Sequence, residues 1–248
     1  MKRIYIIGIG PGSTEGITLE ARAALQECTL VVGYKTYIDL LMPLLSEREV
    51  FSNGMRQEVE RCQYALQRAA NGCTTGIVCS GDSAVYGMAG LVFELAQSFP
   101  DVELIPVPGV TAALSGGALL GSPLTSDFAI ISLSNLLTPQ EMIEARLRAA
   151  AAGDFALALY NPMSRNRPDV LMRACSILLE TLPAERPCGY VRNIGRSEQA
   201  VTVCTLLELQ SATLDMFCTA FVGASCTVRY TRNGREYLVT KRGYHIPA

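Results

Sequence analysis

Five short apolar runs, rich in β-branched residues, alternate with segments of helical periodicity in the first half of the chain. The runs lie at 4–9, 29–32, 49–52, 76–80 and 102–107. Such runs are typical of parallel strands that are buried on both faces, and the connections between parallel strands are usually helices. Helices are predicted at 55–70 and 87–98. The first half is therefore predicted to be an α/β unit built around a mostly parallel sheet.

The second half predicts a mixed sheet that contains antiparallel strands. Strands are predicted at 128–133, 156–160, 189–192, 201–204, 217–222 and 237–240. The connections between the last three are short, which predicts antiparallel neighbours. One helix is predicted at 168–182, and another begins at Thr138-Pro139-Gln140-Glu141, which has the pattern of a capping box with proline at the first helical position.

An Ala-, Ser- and Gly-rich segment that ends at Gly121 separates the two halves. We predict a domain boundary within this segment, because composition shifts of this kind often mark linkers. The predicted domains are 1–116 and 117–248, and the predicted fold class is α/β with two domains.

Composition and charge exclude several classes of protein. The 248 residues are 49% hydrophobic and 18% charged, and the net charge is −2, which argues against a nucleic-acid binder. No apolar run approaches the roughly 20 residues of a membrane span, and no charged-then-apolar leader precedes the first strand. We therefore expect neither nucleic acid nor a membrane as a partner.

The cysteines and the single histidine limit the possible chemistry. The nine cysteines form no C-x-x-C motif, which favours free thiols in a reducing cytoplasm over a disulfide framework. With His245 as the sole histidine, a metal site built by this chain is not expected. Ser-His-Asp or Cys-His catalysis would require His245 to fold back into the site.

The first strand runs into Gly8-Ile9-Gly10-Pro11-Gly12, which departs from the dinucleotide fingerprint G-x-G-x-x-G. Proline has no N–H group to offer a pyrophosphate. The second strand ends at Tyr34-Lys35 without the acidic residue that binds a ribose in Rossmann enzymes. Both features count against a nicotinamide oxidoreductase and against the usual Rossmann methyltransferase, and they favour a ligand without phosphate.

Three glycine turns follow strands, at 8–13, 80–87 and 108–112. Each alone is consistent with a tight turn before a helix. Together they are better explained by a shared ligand cleft, because ligands bind at the carboxyl ends of parallel strands. Asp82, in the second turn, is either a helix N-cap or a carboxylate that accepts hydrogen bonds from a ligand hydroxyl or ammonium group, and the two roles are compatible.

Arginines near strand exits suggest a polyanionic small molecule as ligand. Arg165 and Arg196 follow predicted strands, and Arg56 and Arg61 lie on the helix at 55–70. A guanidinium group can bind a carboxylate through two parallel hydrogen bonds. A solvated loop or helix face explains these arginines equally well.

Taken together, the loops resemble the tetrapyrrole methyltransferase family, which uses S-adenosylmethionine on a two-domain scaffold that is not a Rossmann fold. The shared elements are Gly-Ile-Gly-Pro-Gly near the N-terminus, Gly-Asp-x-x-x-Tyr-Gly at 81–87 and Pro-Gly-Val-Thr-Ala at 108–112. Further motifs resemble the branch that methylates ring carbon 17 of precorrin-3B or cobalt-factor III and contracts the macrocycle in cobalamin biosynthesis. These motifs lie at 32–37, 54–56, 60–62, 86–90, 127–128, 131–134, 160–164, 215–216 and 242–244.

The resemblance implies a cytoplasmic, homodimeric C-methyltransferase that binds S-adenosylmethionine in a cleft between its domains and holds no metal of its own. The positions that match the donor-binding motifs are Pro11, Gly81, Asp82, Val85, Thr111, Ala112, Asn161 and Ile194. Arg56, Arg61, Arg165 and Arg196 are weaker candidates for contacts with substrate carboxylates, and no catalytic residue is assigned. Asn135 stands where the family usually has Asp, which leaves open whether a carboxylate there serves ring contraction.

Two rival functions stay compatible with the sequence. A sister enzyme would methylate another position of the macrocycle. A non-catalytic tetrapyrrole-binding protein would bind the macrocycle without the methyl donor, although the three glycine turns argue against it. Whether the substrate already carries cobalt is also open, because the metal would arrive with the macrocycle.

Overall fold

The computed structural model describes residues 2–164 and 166–245. The chain divides into two compact units between Thr111 and Ala112. The boundary predicted at 116 lies inside the helix Ala112–Leu120, whose Ala113 and Leu120 are fully buried in the core of the second unit. Because this helix packs there along its whole length, the Ala-, Ser- and Gly-rich composition marks a helix rather than a linker.

The described residues of the first unit form five strands and four α-helices. The strands are β1 (Arg3–Gly8), β2 (Leu30–Tyr34), β3 (Glu49–Asn53), β4 (Thr75–Cys79) and β5 (Glu103–Val107). The helices are α1 (Leu19–Glu27), α2 (Lys35–Leu41), α3 (Glu58–Ala70) and α4 (Ala89–Leu95), and single 3-10 turns lie at Thr14–Gly16, Met42–Leu44 and Ala96–Ser98. The sheet has the order β3-β2-β4-β1-β5 and is wholly parallel, which confirms the mostly parallel sheet that the sequence predicts.

Both faces of this sheet are covered by helices. Ile4 and Ile6 of β1 pack into a cluster with α3 and α4, and Ile7 faces the opposite cluster with α1 and α2. Successive side chains of a strand point to opposite faces, so apolar residues at consecutive positions require cover on both sides. This arrangement leaves the carboxyl edge of the sheet as the place for a ligand.

Within 112–164 and 166–245, the second unit has four α-helices and eight strands, and the strands form two sheets. The helices are α5 (Ala112–Leu120), α6 (Gln140–Ala152), α7 (Val170–Leu179) and α8 (Leu206–Gln210). The strands are β6 (Gly121–Ser122), β7 (Phe128–Ser132), β8 (Ala156–Tyr160), β9 (Pro187–Arg192), β10 (Ala200–Thr205), β11 (Cys218–Val222), β12 (Thr227–Arg232) and β13 (Arg235–Thr240). One sheet has the order β10-β9-β11-β8-β7, in which only β7 and β8 pair in parallel, and the other has the order β12-β13-β6. The mixed sheet of the prediction is confirmed.

The predicted pairing of the last three strands is wrong. β10 and β11 each pair with β9, which lies between them, and β13 pairs with β12 in the smaller sheet. The hairpin of β12 and β13 turns at Asn233-Gly234, where both residues have positive φ (53° and 73°). Asn-Gly is a strong hairpin signal, because both residues tolerate this backbone conformation.

The capping box predicted at Thr138 is also wrong. α6 begins after Pro139, which makes no side-chain cap. The described residues form a capping box at α8 instead, where Glu208 N–H donates to Thr205 Oγ1 (3.2 Å) and Thr205 N–H donates to Glu208 Oε2 (2.7 Å). Proline at N-cap removes the side-chain acceptor that the pattern requires.

The nine cysteines are free thiols, as their spacing predicts, and seven of them are buried. Burial raises the pKa of the Cys28, Cys62 and Cys175 thiols to about 12. These side chains therefore serve as small apolar groups of the cores. No helix in the described residues is long and apolar enough to cross a membrane.

Candidate functional site

Two of the predicted glycine turns form one hydrogen-bonded structure at the carboxyl edge of the parallel sheet. β1 lies between β4 and β5, so the loops that follow these strands are neighbours. Gly10 N–H donates to Gly81 O (3.0 Å), and Gly81 N–H donates to Gly10 O (2.7 Å). Both glycines have positive φ (75° and 69°), which glycine adopts without steric strain.

The third turn joins them through close contact of main-chain atoms. A Cβ atom added to Gly8 would lie 2.7 Å from both Gly109 N and Gly81 O. A Cβ atom added to Gly109 would lie 2.5 Å from Gly8 O. Only glycine fits at these positions, so the loops at 8–13, 80–87 and 108–110 form a continuous main-chain surface, called here the glycine rim.

Asp82 ties the second loop of the glycine rim to the third. Its Oδ1 accepts hydrogen bonds from the N–H groups of Ala84 (2.9 Å) and Val85 (3.0 Å), and its Oδ2 accepts one from Gly109 N–H (3.0 Å). Partial burial would raise the pKa of the Asp82 carboxyl, but these main-chain donors outweigh that effect and hold the pKa below its usual range. The carboxylate is thus ionised and holds the second and third loops together. The helix N-cap interpretation of Asp82 is wrong, because α4 begins only at Ala89 and its N-cap is Met88.

The other predicted donor-site residues of the first unit lie on or beside this rim. The Pro11 ring lies over Gly16, where an added Cβ would be 3.4 Å from Pro11 Cδ. Thr111, which directly follows the third loop, is buried at 6% exposure. Tyr86 in the second loop has φ 52° and is 57% exposed, although a bulky residue rarely adopts the left-handed conformation.

In the second unit, two predicted residues follow the carboxyl end of β8 and the end of β9. Asn161 has φ 54°, and its Nδ2 donates to Ser132 Oγ at the end of β7 (3.0 Å). The Ile194 side chain is buried at 6% exposure in the core that contains Phe221. Ile194 follows Asn193, which is also left-handed (φ 52°). A ligand could therefore meet Ile194 only through its main-chain groups.

Tyr160 has a role that the sequence did not predict. Its Oη accepts a hydrogen bond from Ala113 N–H in the first turn of α5 (2.7 Å). Ala112 precedes this contact and begins α5. The sequence shows a family motif at 160–164, but the partner of Tyr160 in α5 is a long-range contact that no local pattern encodes.

The four candidate arginines differ in what they contact. Arg61 is buried at 4% exposure and bonds to oxygens of its own unit, so it does not offer a free fork to a ligand. The Arg196 guanidinium lies 5.7 Å from the centre of the Phe217 ring. Arg56 is exposed and left-handed, with φ 64°. Arg165 lies outside the described residues.

Two further expectations from the sequence concern Asn135 and a metal site. Asn135 is exposed in the loop after β7. Across the described residues, His, Cys, Asp and Glu side chains form no group of three or more that could hold a metal ion.

Comparisons with known proteins add family and fold. The profile of the tetrapyrrole (corrin/porphyrin) methylases matches residues 3–210. A "Probable cobalt-factor III C(17)-methyltransferase" of Salmonella typhimurium is 42% identical over 98% of this chain and 100% of that protein. A "Precorrin-3B C(17)-methyltransferase" of Sinorhizobium sp is 39% identical over 97% of this chain and 96% of that protein.

The chain is also similar to one longer relative and to one solved structure. The chain spans 45% of the length of a "Cobalt-factor III methyltransferase" of Priestia megaterium, with 40% identity over 98% of this chain. The crystal structure of the methyltransferase CobJ superposes with a TM-score of 0.88 at 36% identity, covering 96% of this chain and 99% of that one. The two-domain α/β fold is therefore that of known methylases.

Proposed function

The chain belongs to the tetrapyrrole methylase family. We propose that it transfers a methyl group from S-adenosylmethionine to ring carbon 17 of a tetrapyrrole and contracts the ring. This reaction is a step of cobalamin biosynthesis. The substrate is cobalt-factor III or precorrin-3B, the two named for relatives that are 42% and 39% identical over nearly the whole chain.

One observation carries the proposal: the glycine rim is a preformed main-chain surface with an ionised carboxylate within it. S-adenosylmethionine carries an ammonium group, ribose hydroxyls and an adenine, and no phosphate. The negative charge of the Asp82 carboxylate suits an ammonium or hydroxyl donor, and main-chain N–H and C=O groups suit an adenine edge. The residues present therefore fit this methyl donor.

We assign the methyl donor to the residues that match the family motifs. In the first unit these are Pro11, Gly81, Asp82, Val85 and Thr111, which lie on or next to the glycine rim. In the second unit they are Ala112, Asn161 and Ile194, and Ile194 contributes main-chain groups because its side chain belongs to the core.

S-adenosylmethionine supplies an electrophilic methyl group on a sulfonium, and an electron-rich ring carbon can displace it without a covalent enzyme residue. The chain then contributes orientation and exclusion of water. Holding two reactants in line is worth roughly 7–11 kcal/mol of the barrier in favourable cases. The rigid glycine rim provides such positioning, because its loops are hydrogen-bonded to one another.

The experiment is incubation of the protein with S-adenosylmethionine and either cobalt-factor III or precorrin-3B. We expect the product mass to rise by one methyl group and the absorbance spectrum to change with ring contraction, and the substrate that reacts decides whether cobalt is present. A methyl gain with an unchanged chromophore would indicate a sister enzyme that acts at another position. Macrocycle binding without S-adenosylmethionine binding would indicate a carrier and overturn the proposal.

We further propose a homodimer that works in the reducing cytoplasm, as the resemblance implies. Nine free cysteines support a reducing compartment. Sedimentation of the purified protein measures the oligomeric state, and a monomer at all concentrations would contradict the dimer.

A further inference from the structure

Several hydrogen bonds fix the loop between β3 and α3, which is only four residues long. Asn53 Nδ2 donates to Gln57 O (3.2 Å), and Gly54 N–H donates to Gln57 Oε1 (2.7 Å). Arg61 Nε donates to Asn53 Oδ1 (2.8 Å), and Arg61 Nη2 donates to Gly54 O (2.9 Å). The loop, residues 54–57, is therefore rigid at the carboxyl end of its strand.

This loop holds Arg56 in a strained conformation. Its φ of 64° is left-handed, a conformation that non-glycine residues adopt only rarely. Arg56 N–H donates to Glu58 Oε1 (3.3 Å), while the ion pairs found among the described residues do not include the Arg56 guanidinium. Backbone strain of this kind persists only where the surroundings impose it, and it concentrates at functional sites.

Arg61 is the buried support of this loop. Only 4% of it is exposed, and no ion pair among the described residues includes it. Its Nε and Nη2 donate instead to neutral oxygens of Asn53 and Gly54. Its guanidinium also lies 5.9 Å from the centre of the Tyr34 ring, at the end of β2. One buried side chain thus links the exits of two neighbouring strands.

The position of this loop suits a ligand larger than the methyl donor. β3 is the edge strand, two strands away from β4, and adjacent strands are about 4.8 Å apart. All strands of the sheet are parallel, so the loop after β3 lies at the same edge as the glycine rim, roughly 10 Å along it from the loop after β4. A macrocycle that reaches the glycine rim extends over this distance.

We propose that Arg56 binds a carboxylate of the anionic macrocycle and that Arg61 is a positioning residue, which acts by holding the loop 54–57 in the conformation that presents Arg56. The substrate class in this inference rests on the proposed function. Arg61 acts through this loop, because its side chain is buried and its Nε and Nη2 donate to Asn53 and Gly54.

The test measures KM and kcat for cobalt-factor III, or for precorrin-3B if that substrate reacts. Loss of a hydrogen bond to a charged group is expected to raise KM about tenfold or more in Arg56→Ala, with little change in kcat. The Kd of S-adenosylmethionine, from calorimetry, is expected to stay at the wild-type value. Arg56→Lys is expected to recover part of the affinity, and Arg232→Ala, at an exposed hairpin arginine, is the control for loss of one positive charge.

The double variant tests the role of Arg61. Arg61→Gln is expected to raise KM much as Arg56→Ala does, and Arg56→Ala/Arg61→Gln is expected to show no further rise, because both changes remove the same contact. Effects that multiply would refute the positioning role. If Arg61→Gln does not fold, Arg61→Lys replaces it, since lysine keeps the charge but not the fork.

The Arg56 assignment is overturned if the wild-type protein reacts and Arg56→Ala has the same KM for the macrocycle as the wild type. The dependence of this KM on salt concentration would then also be unchanged. A wild-type protein that methylates neither substrate would instead overturn the proposed function. The two failures are therefore distinguishable.

Discussion

Replacing Asp82 with asparagine is expected to loosen the glycine rim at one defined bond. Oδ1 keeps its two donors, Ala84 and Val85, but an amide nitrogen replaces Oδ2 and faces Gly109 N–H, which donates at 3.0 Å in the wild type. A flipped amide would lose the other two bonds instead. Loss of a bond to a charged acceptor, with weakening of the two that remain, amounts to about 2–4 kcal/mol.

The assay is thermal unfolding without ligand, so that a change in S-adenosylmethionine binding does not affect the measured Tm. A loss of this size lowers Tm by roughly 5–15 °C in a chain of this length. Amide hydrogen exchange adds a local readout: Gly109 should lose protection in Asp82→Asn, and Ala84 and Val85 should lose it as well in Asp82→Ala. An Asp82→Asn protein with wild-type Tm and weakened S-adenosylmethionine binding would refute the reasoning, because the carboxylate would then act on the ligand alone.

The same bonds predict a pH dependence with a definite sign. The main-chain donors hold the pKa of folded Asp82 below its usual value, so the folded state binds this proton less readily than the unfolded state. The stabilisation is complete above the unfolded pKa of about 3.9, and it is lost as pH falls through the folded pKa. The difference in Tm between wild type and Asp82→Asn should therefore shrink below about pH 4.

Three further outcomes are expected. Gly109→Ala should fold poorly or lose more than about 3 kcal/mol of its free energy of unfolding, because the added Cβ would overlap main-chain atoms that cannot move aside, including Gly8 O at 2.5 Å. A wild-type free energy of unfolding in urea would contradict this. Tyr160→Phe should cost about 1–2 kcal/mol, since the N–H of buried Ala113 loses the Tyr160 hydroxyl that accepts its hydrogen bond, and urea unfolding measures it. Iodoacetamide at pH 8 should modify native protein only at the two partly exposed thiols, Cys73 and Cys226; mass spectrometry that finds label on buried thiols would count against the tight cores.

The parallel sheet could be predicted well from sequence, because its strands are buried on both faces. All five runs proposed for the first unit are strands, and the greatest shift at either end is two residues. Helices with a weak apolar stripe were harder to predict from the sequence, and α1 and α2 were not predicted. The N-cap of α1 is Thr18, whose side chain accepts a hydrogen bond from Ala21 N–H (3.1 Å). A threonine before an apolar run was a local signal that the sequence did contain.

The candidate site divides in the same way. The glycine turns could be predicted, because their residue type reflects a backbone need that is local. Their mutual contacts could not, since they join residues far apart in sequence, such as Asp82 and Gly109. The same limit explains Arg61: a cation on a helix is normally solvated, and only the fold reveals that this one is buried against Asn53.

The contacts within the glycine rim also bear on the thermodynamics of the proposed binding. Fixing one flexible residue costs roughly 1–2 kcal/mol of backbone entropy, and a ligand that orders a loop loses that amount from its affinity for every residue it immobilises. In this chain the loops are already immobilised by one another before any ligand arrives. If S-adenosylmethionine binds at this rim as proposed, its affinity is not reduced by the entropy cost of ordering these loops.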